Sequence, residues 1–548
     1  MKKATLIAEM AIIAVTGIFS HQLFAQVSQT PPMGWASYDC LNFSATEAEM
    51  KAMADTMAKK YASYGWLYIN IDWCWSFPCP GITNCTQGSP NQTWVNGIDG
   101  NPDAATRLKM DAYGRLMPDT VRHPSAVGGA GFKPLADYIH GKGLKFGIHV
   151  MRGIPRQAVY ANTPIYGTTY HAADAANKNE NCAWLNHMYG LNFGSPAAQA
   201  YLNSILTMYA AWGIDYIKID DLVNSNVSPR TTFKTYIQGY RAAIDSTHRP
   251  IVFSTSPGAT PIGDSVFFMT YVNQWRMADD LWDNWSTLNT MLDLFANWYH
   301  CAYSPHFPDA DMIPIGYLSE RGPNGGVRYS NFTRAEQFTL MTMWCIGRSP
   351  LLWGGDLRNN RLAEDSLMTN AEVIAVNQRG LHPRPVVVSA NYPIWVSDHP
   401  DSSNVKYIAM VNRTTTNPAT MTLTLSSIGF TTCTARNLWT KTNLGSFTTT
   451  FGQSLATHAS GLYKLTAPVS SVAGHGVQGI RLSVGMERRY VVAGGRFIVP
   501  SDYAGTAPML YIYNISGKLI SAMVAKDRIV DLRKKCGVSE GVYIVRIR

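Results

Sequence analysis

Residues 213–222 read GIDYIKIDDL. Ile214, Tyr216, Ile217 and Ile219 make an apolar, β-rich run closed by acids. The run is too short for a helix and too apolar for an exposed edge, so it is predicted as a buried parallel strand with Lys218, Asp220 and Asp221 at its C-terminal end. In a β/α barrel that end opens on the active-site face. Residues two apart on a strand point to the same side. Lys218 is thereby placed to hold Asp220 ionised, the state a nucleophile needs. An acid ending a strand also serves as the N-cap of a following helix, and this stretch alone does not separate the two readings.

A second stretch, WRMADDLWDNW at 275–285, follows another apolar run at 266–272. Retaining glycoside cleavage needs two carboxyl groups about 5 Å apart, one a nucleophile and one a proton donor. Asp280 is the candidate for the second. Arg276 and Trp275 add a charge and an aromatic wall, which sugars use for hydroxyl bonding and stacking.

Outward from these stretches, strands and helices alternate. Strands are expected at 32–37, 66–72, 144–150, 251–254, 269–275, 311–315 and 350–353 besides the one quoted first. Helices are expected at 45–61, 132–140, 197–212 and 334–345. This alternation predicts a (β/α)8 TIM barrel over 26–384. A polar loop at 78–103 is long enough to be functional. After about residue 384 the pattern changes to alternating apolar and polar residues rich in Thr and Val, which predicts an antiparallel β-sandwich domain over 385–467. A linker at 468–479 leads to a small C-terminal all-β domain at 480–548.

The chain has 548 residues, 46% hydrophobic and 15% charged, which calls for several domains with large cores and excludes a disordered chain. Residues 471–548 hold twelve Lys+Arg against five Asp+Glu, so most of the net charge of +9 sits in the tail. No basic helix or arm accompanies it, and nucleic acid is not an expected partner. Lys2 and Lys3, the apolar stretch 10–19 and Ala25 before Gln26 read as a signal peptide over 1–25. The expected location is therefore secreted, periplasmic or cell-surface, and no later stretch is long and apolar enough to span a bilayer. Nine cysteines in an exported chain suggest disulfides with one left over. Cys79 and Cys85 can close a small loop, and Cys40 and Cys74 each follow a predicted strand. His149 and His306 lie near strand ends and do not make a zinc site; no metal or cofactor is expected.

Several segments together resemble glycoside hydrolase family 27, the family of α-galactosidases and α-N-acetylgalactosaminidases. They are TPPMGWASY (30–38), YINIDWCW (68–75), KFGI (145–148), YIKID (216–220), WRMADD (275–280), PDADM (308–312), SPLLWGGDLR (349–358) and EVIAVNQ (372–378), in the family's order. The resemblance implies a (β/α)8 barrel, a C-terminal antiparallel β domain and a retaining mechanism without a metal. It implies Asp220 as nucleophile, Asp280 as acid/base, sugar contacts from Trp35, Asp72, Lys218 and Arg276, and a Cys40–Cys74 disulfide. The tail, with YNISGKL (513–519) and GVYIVRI (541–547), resembles the C-terminal sorting domain of the type IX secretion system of Bacteroidota, which implies secretion machinery as a partner.

The chain also departs from the family pattern. Trp73 stands where the family usually has a second acid that shares the sugar's O4 and O6 with the Asp72 position. STSPG (254–258) replaces a loop whose glutamate helps to read the C2 substituent. The cysteine usually following the nucleophile is missing, with Leu222 near its place, which leaves Cys182 without that partner. Arg152 and Arg156 face either the pocket or the surface. The expectation is a secreted retaining exo-glycosidase acting on terminal α-D-galactosyl residues of a carbohydrate substrate. The alternatives are a β-L-arabinopyranosidase, whose sugar lacks only the C6 hydroxymethyl of the same ring, and a non-catalytic glycan-binding barrel.

Overall fold

The computed structural model describes residues 27–77, 108–182, 184–185, 187–321, 324–468 and the strands between 480 and 547. Within it, eight parallel strands follow one another around a barrel: β1 (Met33–Ala36), β2 (Tyr68–Ile71), β3 (Lys145–Met151), β4 (Tyr216–Asp220), β5 (Val252–Thr255), β6 (Gln274–Arg276), β7 (Phe307–Asp309) and β8 (Leu351–Trp353). β1 pairs with both β2 and β8, and Ile313, just past β7, bridges Trp353 of β8 to close the ring. The strands alternate with helices α1 (Glu47–Lys60), α2 (Lys133–His140), α3 (Pro196–Trp212), α4 (Lys234–Ser246), α5 (Ser265–Tyr271), α6 (Trp285–Trp298), α7 (Arg334–Ile346) and α8 (Ala371–Arg379).

The stretch GIDYIKIDDL shows how the barrel is specified. Gly213 ends α3 in the left-handed region, φ 87°, with its N–H turned back to Tyr209 and Ala210 carbonyls. A side chain there would be strained and would start 3.0 Å from the His140 ring, so glycine is the residue that turns the chain into β4. Asp215 then pins the N-terminal end of the barrel, accepting from Phe146 N (2.9 Å) and Arg249 Nη2 (2.5 Å) and meeting His140 Nε2 at 2.7 Å. Along β4, Ile217 and Ile219 are fully buried in the core under the helices. Tyr216 packs on the other side, inside the barrel, with Ala36, Tyr68, Val252, Met312 and Leu352. Lys218 and Asp220 share that inner face and emerge at the C-terminal mouth.

Two strands differ from expectation. Residues 265–271 form α5 rather than the start of the sixth strand, and only Gln274–Arg276 are extended; an apolar run of this length has no period that separates helix from strand. The seventh strand is Phe307–Asp309, not 311–315. Asp311 adopts φ 84°, which breaks the extended backbone, and the chain re-enters the ladder only at Ile313.

The sandwich comprises β9 (Leu381–Val387), β10 (Ile394–His399), β11 (Ser402–Val411), β12 (Ala419–Thr424), β13 (Thr432–Asn437), β14 (Thr442–Thr448), β15 (Thr450–Leu455) and β16 (Ser460–Thr466). Six form one antiparallel sheet in the order β9-β10-β11-β16-β13-β14, faced by the pair β12-β15. It docks on the barrel through α7 and α8: Trp439 Nε1 donates to Thr342 Oγ1 (2.9 Å), and Arg436 grips both Glu372 oxygens (2.7 and 2.8 Å). A second compact unit spans Val469–Arg548. Its described strands are β17 (Ile480–Val484), β18 (Glu487–Ala493), β19 (Arg496–Ile498), β20 (Met509–Asn514), β21 (Leu519–Val524), β22 (Ile529–Asp531) and β23 (Val542–Ile547). They form an antiparallel sheet β17-β18-β23-β20-β21 and the pair β19-β22. The expected signal peptide, the 78–103 loop with Cys79 and Cys85, and linker residues 469–479 lie outside the described residues.

Among the described residues no disulfide forms, which corrects the expected Cys40–Cys74 bond. Both are buried free thiols. Cys40 lies on a short helix, Tyr38–Leu41, with its thiol turned back to the Ser37 carbonyl (3.8 Å). Cys74 sits in a turn at φ 67°, where Arg122 Nη2 donates to its carbonyl (2.6 Å). No described helix is long and apolar enough to cross a membrane.

Candidate active site

Strand register delivers the site. His149 of β3 lies beside Lys218 of β4, and Met151 beside Asp220; residues in register on neighbouring parallel strands face the same way. Lys218 Nζ donates to Asp72 Oδ2 at 3.1 Å, just past β2. Asp72 Oδ1 accepts from Trp73 N (2.9 Å), and the Asp72 N–H donates to Ser37 Oγ (2.9 Å). Burial opposes the charge on Asp72, but Lys218, His149 and the Trp73 N–H outweigh it and hold the carboxyl below its usual range. Burial likewise works against Lys218, and Asp72 and Asp220 reverse that and raise its pKa.

Asp220 is paired with His149 rather than directly with Lys218. His149 Nε2 lies 3.2 Å from Asp220 Oδ2, and Asp221 N donates to Oδ1 at 2.9 Å. Burial alone would raise Asp220. The hydrogen bond and charge of His149, the charge of Lys218 and the Asp221 N–H bring it down to about 2. Each carboxylate oxygen is thus oriented by one donor, and the group is ionised at any ordinary pH.

Asp221 occupies the left-handed region, φ 62°, and is buried. Arg152 holds it there: Nε donates to Asp221 O (2.8 Å) and Nη2 to Oδ2 (2.7 Å), while Nη1 pairs with Glu180. The guanidinium lies 3.9 Å from the Phe233 ring centre and 4.6 Å from that of Tyr236. Arg152 therefore faces neither pocket nor surface; it braces the residue whose N–H positions Asp220. Arg156 lies over the Tyr189 ring (5.1 Å).

The second carboxyl comes from the β6 loop. Arg276, buried at the end of β6, pairs with Asp311 Oδ1 (2.8 Å) and with Asp280 Oδ1 (3.3 Å). Asp311 Oδ2 accepts from Leu281 N (2.7 Å), fixing the same loop from below. Asp280 itself is 59% exposed. Trp73 is half-buried and meets Phe43 and Phe77 edge-on, with ring centres 6.3 and 6.5 Å away.

Asp72, Trp73, Lys218, Asp220 and Asp280 line one cleft of about 790 Å³, together with Tyr38, Met312, Ser256, Pro257 and, at its rim, Trp184, Arg230 and Asp279. This size suits a sugar with its leaving group. Arg276 lies below the floor, beside Asp311 and Asp309. Trp35 is not brought to the cleft. It is fully buried in the core under the helices, and its indole N–H donates to Gly355 O (3.0 Å). Alternation along β1 turns Ala36, not Trp35, into the barrel.

Against solved structures, the chain is 41% identical to a glycoside hydrolase family 27 β-L-arabinopyranosidase from Geobacillus stearothermophilus, covering 82% of this chain and 99% of that one with a TM-score of 0.75. The chain belongs to glycoside hydrolase family 27. The family 27 chain is also 37% identical to a putative α-N-acetylgalactosaminidase from Bacillus halodurans C-125, over 80% of this chain and 97% of that one, TM-score 0.69. Among curated relatives, an α-galactosidase of Cyamopsis tetragonoloba is 27% identical over 80% of this chain and 87% of its own. Residues 188–379 match the family description alpha galactosidase A, and 389–465 match alpha galactosidase C-terminal beta sandwich domain. The sequence reading gave His149 only a structural or substrate-contacting role, left Arg152 between pocket and surface, and did not single out Tyr38 in this family 27 site. The one signal for His149 was its place one residue before the end of a predicted strand neighbouring β4.

Proposed function

We propose that this family 27 glycoside hydrolase is a retaining exo-glycosidase that removes terminal β-L-arabinopyranosyl residues. Asp220 attacks the anomeric carbon while Asp280 gives its proton to the leaving oxygen, so the glycosidic C–O bond breaks as a glycosyl ester to Asp220 forms. Asp280 then takes a proton from water, which attacks the ester and frees the sugar with its original configuration. His149 and the Asp221 N–H orient the nucleophile. Lys218 donates to ring hydroxyls and Asp72 accepts from them.

The preference for the pentose rests on Trp73. The sequence alone favoured the hexose. An indole only donates, through its N–H, so Trp73 offers no acceptor to a C6 hydroxyl. Its ring, fixed against Phe43 and Phe77 beside Asp72, takes up wall space where a hydroxymethyl group would lie. The likeness to a β-L-arabinopyranosidase over 99% of that chain supports the same reading. The α-galactosidase relatives favour the hexose as the second reading. The test is kcat/KM for nitrophenyl β-L-arabinopyranoside and α-D-galactoside on wild type and Trp73→Asp. The wild type should prefer the pentoside. Restoring an acceptor is worth about 1.5–3 kcal/mol, so the substitution should raise the galactose to arabinose ratio roughly ten- to a hundredfold. An unchanged ratio refutes the role of Trp73. We also propose that residues 1–25 direct export and that the C-terminal unit acts in sorting; the basic and apolar pattern of the first and the YNISGKL and GVYIVRI segments of the second support this.

A further inference from the structure

We infer that Trp184 and the Arg230–Asp279 pair form a subsite for the leaving group, built for a second sugar rather than a simple alcohol or phenol. The inference rests on the glycosidase reading above.

Trp184 is 43% exposed at the cleft rim, whereas Cys182 and Leu185 beside it are 3% and 1% exposed. The place of Trp184 in the lining of the cleft, not its exposure alone, puts the ring within reach of a bound leaving group. The anchoring leads back to the nucleophile. The Cys182 sulfur accepts from the backbone N–H groups of Trp184 and Leu185, and its S–H donates to the Asp221 carboxylate. Asp221 in turn is held by Arg152 and positions Asp220. Cys182, which lacks its family partner cysteine, thus ties the Trp184 segment to the nucleophile through hydrogen bonds. The backbone that carries the indole is thereby held relative to Asp220, and the indole offers a flat apolar face, the surface that the C–H side of a pyranose covers.

The second part of the subsite is polar. Arg230, in the loop after β4, grips both Asp279 oxygens at 2.7 Å and donates to Gly258 O. It joins the loops after β4, β5 and β6 at the cleft wall. A planar bidentate pair of this kind holds its geometry, and Asp279 is 61% exposed, leaving acceptor capacity free toward the cleft. Asp279 directly precedes Asp280, whose carboxyl must reach the leaving oxygen. The pair therefore stands on the leaving-group side, opposite the Asp72–Lys218 end. A sugar uses both parts, its C–H face on Trp184 and its hydroxyls on Arg230 and Asp279; a phenol or alkanol uses only the first.

The experiment compares kcat/KM for a disaccharide with that for the glycosyl fluoride of the same terminal sugar, whose leaving group is too small to reach the rim. The terminal sugar is arabinopyranose or galactose, whichever the wild type cleaves better. Trp184→Ala and Arg230→Gln should each lower the disaccharide-to-fluoride ratio about tenfold, and Trp184→Tyr should keep most of it. The fluoride rate normalises for folding in every variant. A ratio unchanged in both variants, or a fall shared equally by both substrates, overturns the subsite. A wild type that turns over neither substrate overturns the glycosidase reading, and the subsite with it.

Discussion

Replacing His149 by Phe removes the one side-chain hydrogen bond to Asp220 among the described residues while keeping a ring of similar size on β3. The imidazole lies 3.2 Å from Asp220 Oδ2 and is the largest influence holding that carboxyl down, against burial, to about 2. A hydrogen bond to a charged group is worth about 1.5–3 kcal/mol. A carboxyl returning from about 2 toward its ordinary range loses a similar amount, about 2 kcal/mol, in favour of the charged form. The direction follows from the chemistry. Asp220 must be ionised to attack, so a raised pKa moves the acid limb of kcat/KM to higher pH. In the wild type that limb, as far as Asp220 sets it, lies near pH 2, below the working range. In His149→Phe it should enter the range from pH 3 to 5, and the rate at neutral pH should fall roughly ten- to a hundredfold because Oδ2 has lost its orienting donor. His149→Asn, which keeps an N–H donor, should recover part of both. The assay is kcat/KM for a nitrophenyl glycoside from pH 3 to 8 on the three proteins. A Phe variant with wild-type rate and an unmoved acid limb would show that His149 neither orients nor tunes the nucleophile.

Three further outcomes are expected. Asp220→Gly should abolish hydrolysis, and added azide should restore turnover while giving a glycosyl azide of opposite anomeric configuration, read by NMR; a retained configuration would move the nucleophile elsewhere. Asp280→Ala should slow substrates with poor leaving groups far more than activated aryl glycosides, because only the former need its proton, and an equal loss on both would rule out the acid/base role. Arg152→Met strips the buried Asp221 carboxylate of its main partner and should cost about 3–5 kcal/mol of stability, measured by urea denaturation; a loss under 1 kcal/mol would mean that the Arg152–Asp221 contact carries little of the fold.

The sequence by itself determined the parts whose cause is local. Alternation of short apolar strands with helical segments yields the barrel order, and the switch to Thr- and Val-rich alternation marks the sandwich, because period 2 and period 3.6 are properties of neighbouring residues. Lys218 and Asp220 could be placed on one inner face for the same reason, and the acids at 220 and 280 could be picked out as a pair from their positions at strand ends. Only the tertiary structure decided what those groups touch. Lys218 bonds Asp72, which is 146 residues away, and His149, 71 residues away, takes the place beside Asp220. Both follow from the register between β2, β3 and β4, which no single strand encodes. Trp35 faces outward and Ala36 inward because of the pleat of β1 inside a closed ring. Arg152 goes to Asp221, the neighbour of Asp220, because its Asp221 and Glu180 partners and the Phe233 and Tyr236 rings converge there. The segment at 265–271 became a helix, and Cys40 and Cys74 stayed apart as free thiols. Contacts of this kind depend on where distant segments meet when the sheet closes, and a linear pattern carries the period of each segment but not that meeting.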